Sequence, residues 1–254
     1  MTTDGQETRV QWAVAILLAS IAGYVDGYGL LFLRTFVSFM SGNTTTAGTT
    51  SGLGDFRAAI PSAIAVVFFV TGSFLGNLLR QATRENPLRK MLGLIASGIA
   101  AVAGLEWSGW RNDGVEIALL GLAMGMMNPV LSQIGAESVS LTFVTGTLSR
   151  IGGHLASAAG RKVLNGPQGP EDLHLVRAGI EASLWCGFLV GAFLAGIACS
   201  HFHTRALLLP LVAIIALGLM GGDPATFPGK ALVKVRGEES GSNKGAYKTM
   251  ENRN

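Results

Sequence analysis

The chain has 254 residues, of which 49% are hydrophobic and only 14% charged, against about 25% charged in a soluble domain. A formal charge of +3, a mean hydropathy of +0.43 and two cysteines sharing one apolar run argue against a nucleic-acid binder, a disordered chain and a disulfide scaffold. Thirty-five glycines without a three-residue period fit close helix packing in lipid rather than collagen.

Crossing the hydrocarbon of a bilayer takes about 20 mostly apolar residues. Six stretches qualify in chain order: Trp12 to Leu33, Ala58 to Leu79, Leu88 to Leu105, Val115 to Ile134, Ala178 to Ser200 and Ala206 to Met220. The first is not a cleaved signal: its apolar run is too long, Asp26 interrupts it, and Arg9 is the sole basic residue before it. The expected fold class is all-α, a polytopic membrane protein with six transmembrane helices.

Basic residues set the orientation, because loops rich in Lys and Arg stay in the cytoplasm. With the N-terminus inside, cytoplasmic segments hold Arg9, Arg80, Arg84, Arg89, Lys90, Arg150, Arg161, Lys162, Arg177 and the six basic residues beyond 220. The other side keeps Arg34, Arg57, Arg111 and Arg205. Both termini are therefore expected in the cytoplasm of a bacterial inner membrane. Residues 1–11 read as a cytoplasmic N-terminal tail. Residues 221–254, polar and rich in Gly, Ser and Lys, read as a disordered cytoplasmic tail.

The two halves, 12–112 and 113–220, resemble each other. Phe36 to Thr44 follows the first span as Leu141 to Ser149 follows the fourth, and both carry a Ser/Thr-Gly-Asn/Thr turn. Asp26 precedes Gly42 by sixteen residues and Asn128 precedes Gly146 by eighteen. Gly72-Ser73-Phe74-Leu75 matches Gly191-Ala192-Phe193-Leu194. Each half holds three spans, an odd number, so the second enters the membrane from the opposite side. This is the inverted repeat typical of transporters, whose sites lie near the midplane at the repeat interface.

The turn segments 34–56 and 140–160 are too polar for lipid-facing helices and read as re-entrant or broken, with Asn43 or Thr44 capping a short helix. The alternative is a pair of ordinary interfacial loops. Two helix ends converging from opposite faces would offer amides and hydroxyls to a small solute. The residues assigned to the substrate or ion pathway are Asp26, Ser41, Asn43, Thr44, Asn128, Thr145 and Thr147. Asp26 is the leading one, because an aspartate in a span costs roughly 2.5–3.5 kcal/mol on insertion scales. It reads either as a proton or cation site or as a brace for the Ser41-Gly42-Asn43 turn.

Gly72 with Gly76, and Gly187 with Gly191, read as helix-packing faces between the halves. Glu106 and Glu181 fall near span ends and read as interfacial. Cys186 and Cys199 read as buried small residues. His201 and His203 form too small a set for a metal, and no cofactor is expected.

The Gly23-Tyr24-Val25-Asp26-Gly27 stretch, the run from Phe36 to Asn43, Gly-Met-Met-Asn at 125–128 and Thr145-Gly146-Thr147 resemble the YoaK-type family of uncharacterised bacterial inner-membrane proteins, a domain of unknown function. The resemblance spans approximately residues 12–220. Ser41 and Met127 depart from it, standing where the family more often has threonine and glutamine. It implies a six-span membrane protein and names no substrate. The resulting expectation is a secondary transporter or channel-like permease for a small solute, proton- or cation-coupled, with the bilayer and an unknown solute or ion as partners and a homodimer as assembly. A non-transporting assembly or sensor partner is the alternative. An intramembrane enzyme is disfavoured, since no Ser/His/Asp set, zinc motif or phosphate-cradling loop is present.

Overall fold

The structure, a computed structural model, describes residues 3–83, 87–131, 133–134, 137–138, 144–160 and 174–220, with side chains from residue 10 onward outside 131–143. The expected tail at 221–254 and the polar loop after residue 160 lie outside the described residues. All described residues belong to one compact unit, Met1–Gly222.

Among the described residues, eight α-helices follow in order: α1 (Thr3–Tyr28), α2 (Met40–Gly52), α3 (Phe56–Ala82), α4 (Pro87–Trp107), α5 (Asp113–Met127), α6 (Val144–Ala159), α7 (His174–Phe202) and α8 (Leu208–Met220). A π-helical turn, Gly29–Leu33, extends α1, and 3-10 turns follow α5 at Asn128–Leu131 and α7 at His203–Leu207. The all-α expectation needs one amendment, a two-residue antiparallel pair of β1 (Gln133–Ile134) and β2 (Glu137–Ser138).

Local chemistry explains most boundaries. Asp55 caps α3 by accepting from the Ala58 amide at 3.0 Å, and Asn112 caps α5 by accepting from Val115 at 3.2 Å. The fourth apolar stretch is not one helix to Ile134. α5 ends at Met127 because Pro129 brings no amide proton and its ring crowds the carbonyl four residues back. The capping role expected of Asn43 or Thr44 is also corrected. α2 starts earlier, at Met40 with Phe39 at the N-cap position, so both residues lie within the helix.

The molecule is organised around two helix pairs, α1 on α7 and α3 on α5. Along α1 and α7 the facing residues rise together, Ile16 with Gly187, Ser20 with Gly191 and Gly27 with Ala195, so the helices run parallel. α3 and α5 are parallel too, through Ala65 with Gly121 and Gly76 with Met126. α4 packs on α5 and on α8. The outward faces are apolar. Phe74 on α3 is 64% exposed and Phe193 on α7 is 66% exposed, although each lies two residues from a buried glycine. Such faces suit a lipid solvent.

Among the described residues, four helical segments are long and apolar enough to cross a membrane: Val10–Leu33, Phe56–Ala82, Pro87–Trp107 and His174–Met220, the last containing both α7 and α8. α5, fifteen residues long, falls short of that length by itself.

Candidate functional site

Four glycines mark where the helix pairs touch backbone to backbone. A Cβ on Gly23 would overlap the carbonyl oxygen of Phe188, and one on Gly191 would overlap that of Ser20. On the other pair, a Cβ on Gly72 would overlap the Leu122 carbonyl, and one on Gly125 that of Phe69. In every case the carbonyl belongs to the residue three positions before the opposing glycine. Gly76 and Gly187 sit one turn away, where an added Cβ would stand 2.9 Å from Pro129 and 3.0 Å from the Ile16 carbonyl oxygen.

Beside the α1–α7 crossing the chain doubles back. The π turn ends at Arg34, a left-handed residue (φ 54°). The Thr35 amide then donates to the Gly29 carbonyl at 3.3 Å. Residues 35–39 therefore run back along α1, bringing the Val37 and Ser38 amides onto one oxygen of Asp26 at 2.7 and 2.8 Å. Asp26 is 5% exposed. Its carboxylate takes up the two backbone donors that this irregular leg would otherwise leave unpaired. Asn43 closes the same turn from the first coil of α2, donating to the Phe36 carbonyl at 2.6 Å.

α2 itself is a threonine helix. The hydroxyls of Thr44, Thr49 and Thr50 donate back to the carbonyls of Met40, Thr45 and Thr46 at 2.7–2.8 Å. This satisfies the hydroxyls without a partner helix. Ser41, Thr44, Thr45 and Thr46 lie on its exposed surface.

The second half builds its polar contacts from side chains. Thr147, Arg150 and His154 share one face of α6 at i, i+3 and i+7, and His174 and Glu181 share one face of α7. The Arg150 guanidinium binds both oxygens of Glu181, at 2.7 and 3.1 Å, and reaches the Thr147 hydroxyl at 3.4 Å. The Nδ1 atoms of His154 and His174 lie 3.2 Å apart. Glu181 is buried, because α6 packs over the early turns of α7 and covers it.

The expected pathway residues thus separate. Asp26 and Asn43 are joined through the turn they both hold, and Thr147 is joined to Arg150 and Glu181. Ser41, Thr44 and Thr145 are exposed, and Asn128 is half-buried at the start of the 3-10 turn. Cys199 is buried but Cys186 is exposed, because it lies on the outward face of α7. His201 and His203 are exposed where α7 ends, and His203 takes the second left-handed backbone (φ 51°). Among the described residues no three His, Cys, Asp or Glu side chains form a metal-binding group.

Two features escaped the sequence reading. The Arg150–Glu181 pair was legible only as matching periodicity on two helices. Glu116 carried a plainer signal, an acidic residue just inside the fourth apolar stretch. It is fully buried.

Apolar outward faces, membrane-length helices and buried polar turns define a polytopic α-helical membrane protein. The chain belongs to the family described as a protein of unknown function, DUF1275, which matches residues 14–220, in agreement with the resemblance carried by the motifs. It is similar to the UPF0700 transmembrane protein RA0705 of Rhizobium meliloti (strain 1021), at 29% identity over 212 residues, covering 84% of this chain and 86% of that one. No solved structure matches it.

Proposed function

We propose that this protein is a secondary transporter or channel-like permease for a small solute, built from two three-helix repeats of opposite orientation. In this reading α1, α3 and α4 form the first repeat, α5, α7 and α8 the second, with α2 and α6 as the short polar helices between the first two spans of each. The protein sits in the bacterial inner membrane with both termini in the cytoplasm, and it moves a solute rather than transforming one.

The observation that carries the reading is the reciprocity of the glycine crossings. A two-fold axis between the halves requires that whatever α1 does to α7, α5 does to α3. Gly23 and Gly191 meet with an offset of three residues, and Gly125 and Gly72 meet with the same offset. Gly23 precedes Asp26 by three residues, as Gly125 precedes Asn128, and Gly72 and Gly191 open the matched Gly-x-Phe-Leu motifs. The parallel course of both pairs supports an axis lying in the membrane plane, because each pair then joins the first span of one repeat to the second span of the other.

Irregular backbone at membrane depth is tolerated where protein buries it or where it lines a watery cavity. In transporters, broken helices mark the solute site. The Asp26-held leg at 35–39 is such a segment, so Asp26 acts as a positioning residue for it. Asp26→Asn keeps an oxygen for both amides, whereas Asp26→Ala leaves them unpaired.

The test is flux of cations, anions and neutral solutes in vesicles containing the purified protein. We expect flux in wild type, retained at least partly in Asp26→Asn and lost in Asp26→Ala. Absence of any flux, or reporters that place the two termini on opposite sides of the membrane, would overturn the reading.

A further inference from the structure

Glu116 and Tyr28 are two buried polar side chains that the permease reading leaves unused. Glu116 lies in the first turns of α5, fully buried, and neither carboxyl oxygen has a hydrogen-bond partner among the described residues. Tyr28 ends α1, is equally buried, and its hydroxyl has no partner either. The charges of Glu106 and Glu116 both act on Tyr28.

The groups facing Glu116 can be named by element. α4 contributes Glu106, whose side chain is 6% exposed, and the following loop contributes Arg111, with its guanidinium 3.1 Å from a Glu106 oxygen. The Asn112 amide lies toward Glu116 without closing a hydrogen bond, and α5 adds the exposed Asp113. At the end of α1, Tyr28 is within electrostatic reach of Glu116. α3 brings Arg57 near its start, and that residue is exposed.

The charge balance decides the matter. Arg111 is the cation acting on both glutamates, and it already faces Glu106. A second buried carboxylate without a counter-charge is expensive, and such a group lowers the cost by taking up a proton. Protonation turns Glu116 from a charged acceptor without a partner into a neutral group. Among the described residues no third ligating group stands here to favour a metal ion instead.

We propose that Glu116 is a proton-binding carboxyl, buried at the start of α5 where that helix packs on α4, with the Glu106–Arg111 pair within electrostatic reach. The site lies close to the α4–α5 connection, where exposed Trp107 and Trp110 mark the membrane boundary. α5 also touches the π turn that leads into the Asp26-held leg, so the helix that carries the proton site adjoins the broken segment. The use of this proton to drive solute movement rests on the permease reading. Proton binding itself does not.

Dicyclohexylcarbodiimide, which attacks protonated carboxyls in apolar surroundings, is the probe. Full-length protein in detergent is treated from about pH 5 to about pH 9, and the modified residue is located by peptide mass mapping. The expected label is on Glu116, falling about tenfold for each pH unit above its titration point. It is lost in Glu116→Gln and retained in Glu106→Gln. Mapping of the wild type assigns the residue even if Glu116→Gln fails to fold. No label on Glu116 across the range, a label on it that ignores pH, or a label on Asp26 in its place would overturn the proposal. Label without solute flux removes the permease reading and leaves the proton site standing, whereas flux without label removes the proton site alone.

Discussion

The turn after α1 and the α6–α7 hairpin both bury polar groups beside a long apolar helix, but they satisfy them differently. Asp26 is satisfied by two backbone amides that come from a leg of chain only eleven and twelve residues away. Glu181 is neutralised by a guanidinium thirty-one residues away on another helix. The first arrangement shapes the backbone and fixes where α2 begins. The second leaves the backbone regular and ties two helices together. The two glycine crossings, by contrast, are built alike, each joining a helix before residue 112 to one after it. Backbone contact distance leaves no choice of residue, whereas a buried polar group accepts any partner that supplies the right donor.

The largest effect should come from filling a crossing. Gly191→Ala and Gly125→Ala each force a methyl into a carbonyl of the opposing helix. Each should cost about 3 kcal/mol or more, read as a sharp loss of thermal stability in detergent. Gly196→Ala, which adds a methyl in open space, should change little. Equal tolerance of all three would break the equivalence of the two crossings.

Next in size is Asp26→Ala, which strands two amides that are each worth about 1–3 kcal/mol when buried without a partner. Asp26→Asn should recover most of that stability, because both amides bind the same oxygen. If the two variants are equally unstable, the negative charge rather than the hydrogen bonds holds the turn.

Glu181→Ala should cost somewhat less, about 2–3 kcal/mol, since Arg150 is one-third exposed and water relieves part of its loss. Adding Arg150→Ala to it should restore part of the stability in a double-mutant cycle. Strict additivity would show that the two side chains act independently and would erase the contrast with Asp26.

The smallest effect belongs to Arg34, whose left-handed backbone suits glycine. Arg34→Gly should be neutral or stabilising by no more than about 1 kcal/mol. A large loss would reveal that the Arg34 side chain takes part in holding the leg.

The long apolar helices were legible because apolar length is a local property, and the matched motifs because they repeat in order. The start of α2 was misread because Asn43 looks like a cap, while its side chain is used to close the preceding turn on Phe36. The fourth span was overextended because hydropathy does not register the amide that Pro129 removes.

By itself the sequence determined that this chain enters a membrane, roughly where each helix lies, and that its two halves share an order of motifs. Only the tertiary structure decided that Gly23 meets Gly191's helix while Gly125 meets Gly72's, that Glu181 finds Arg150, and that Glu116 is shut away where α5 packs on α4. The reason is that such contacts depend on the register and crossing of helices distant along the chain. No local pattern of side chains encodes that register, which emerges when the helices pack.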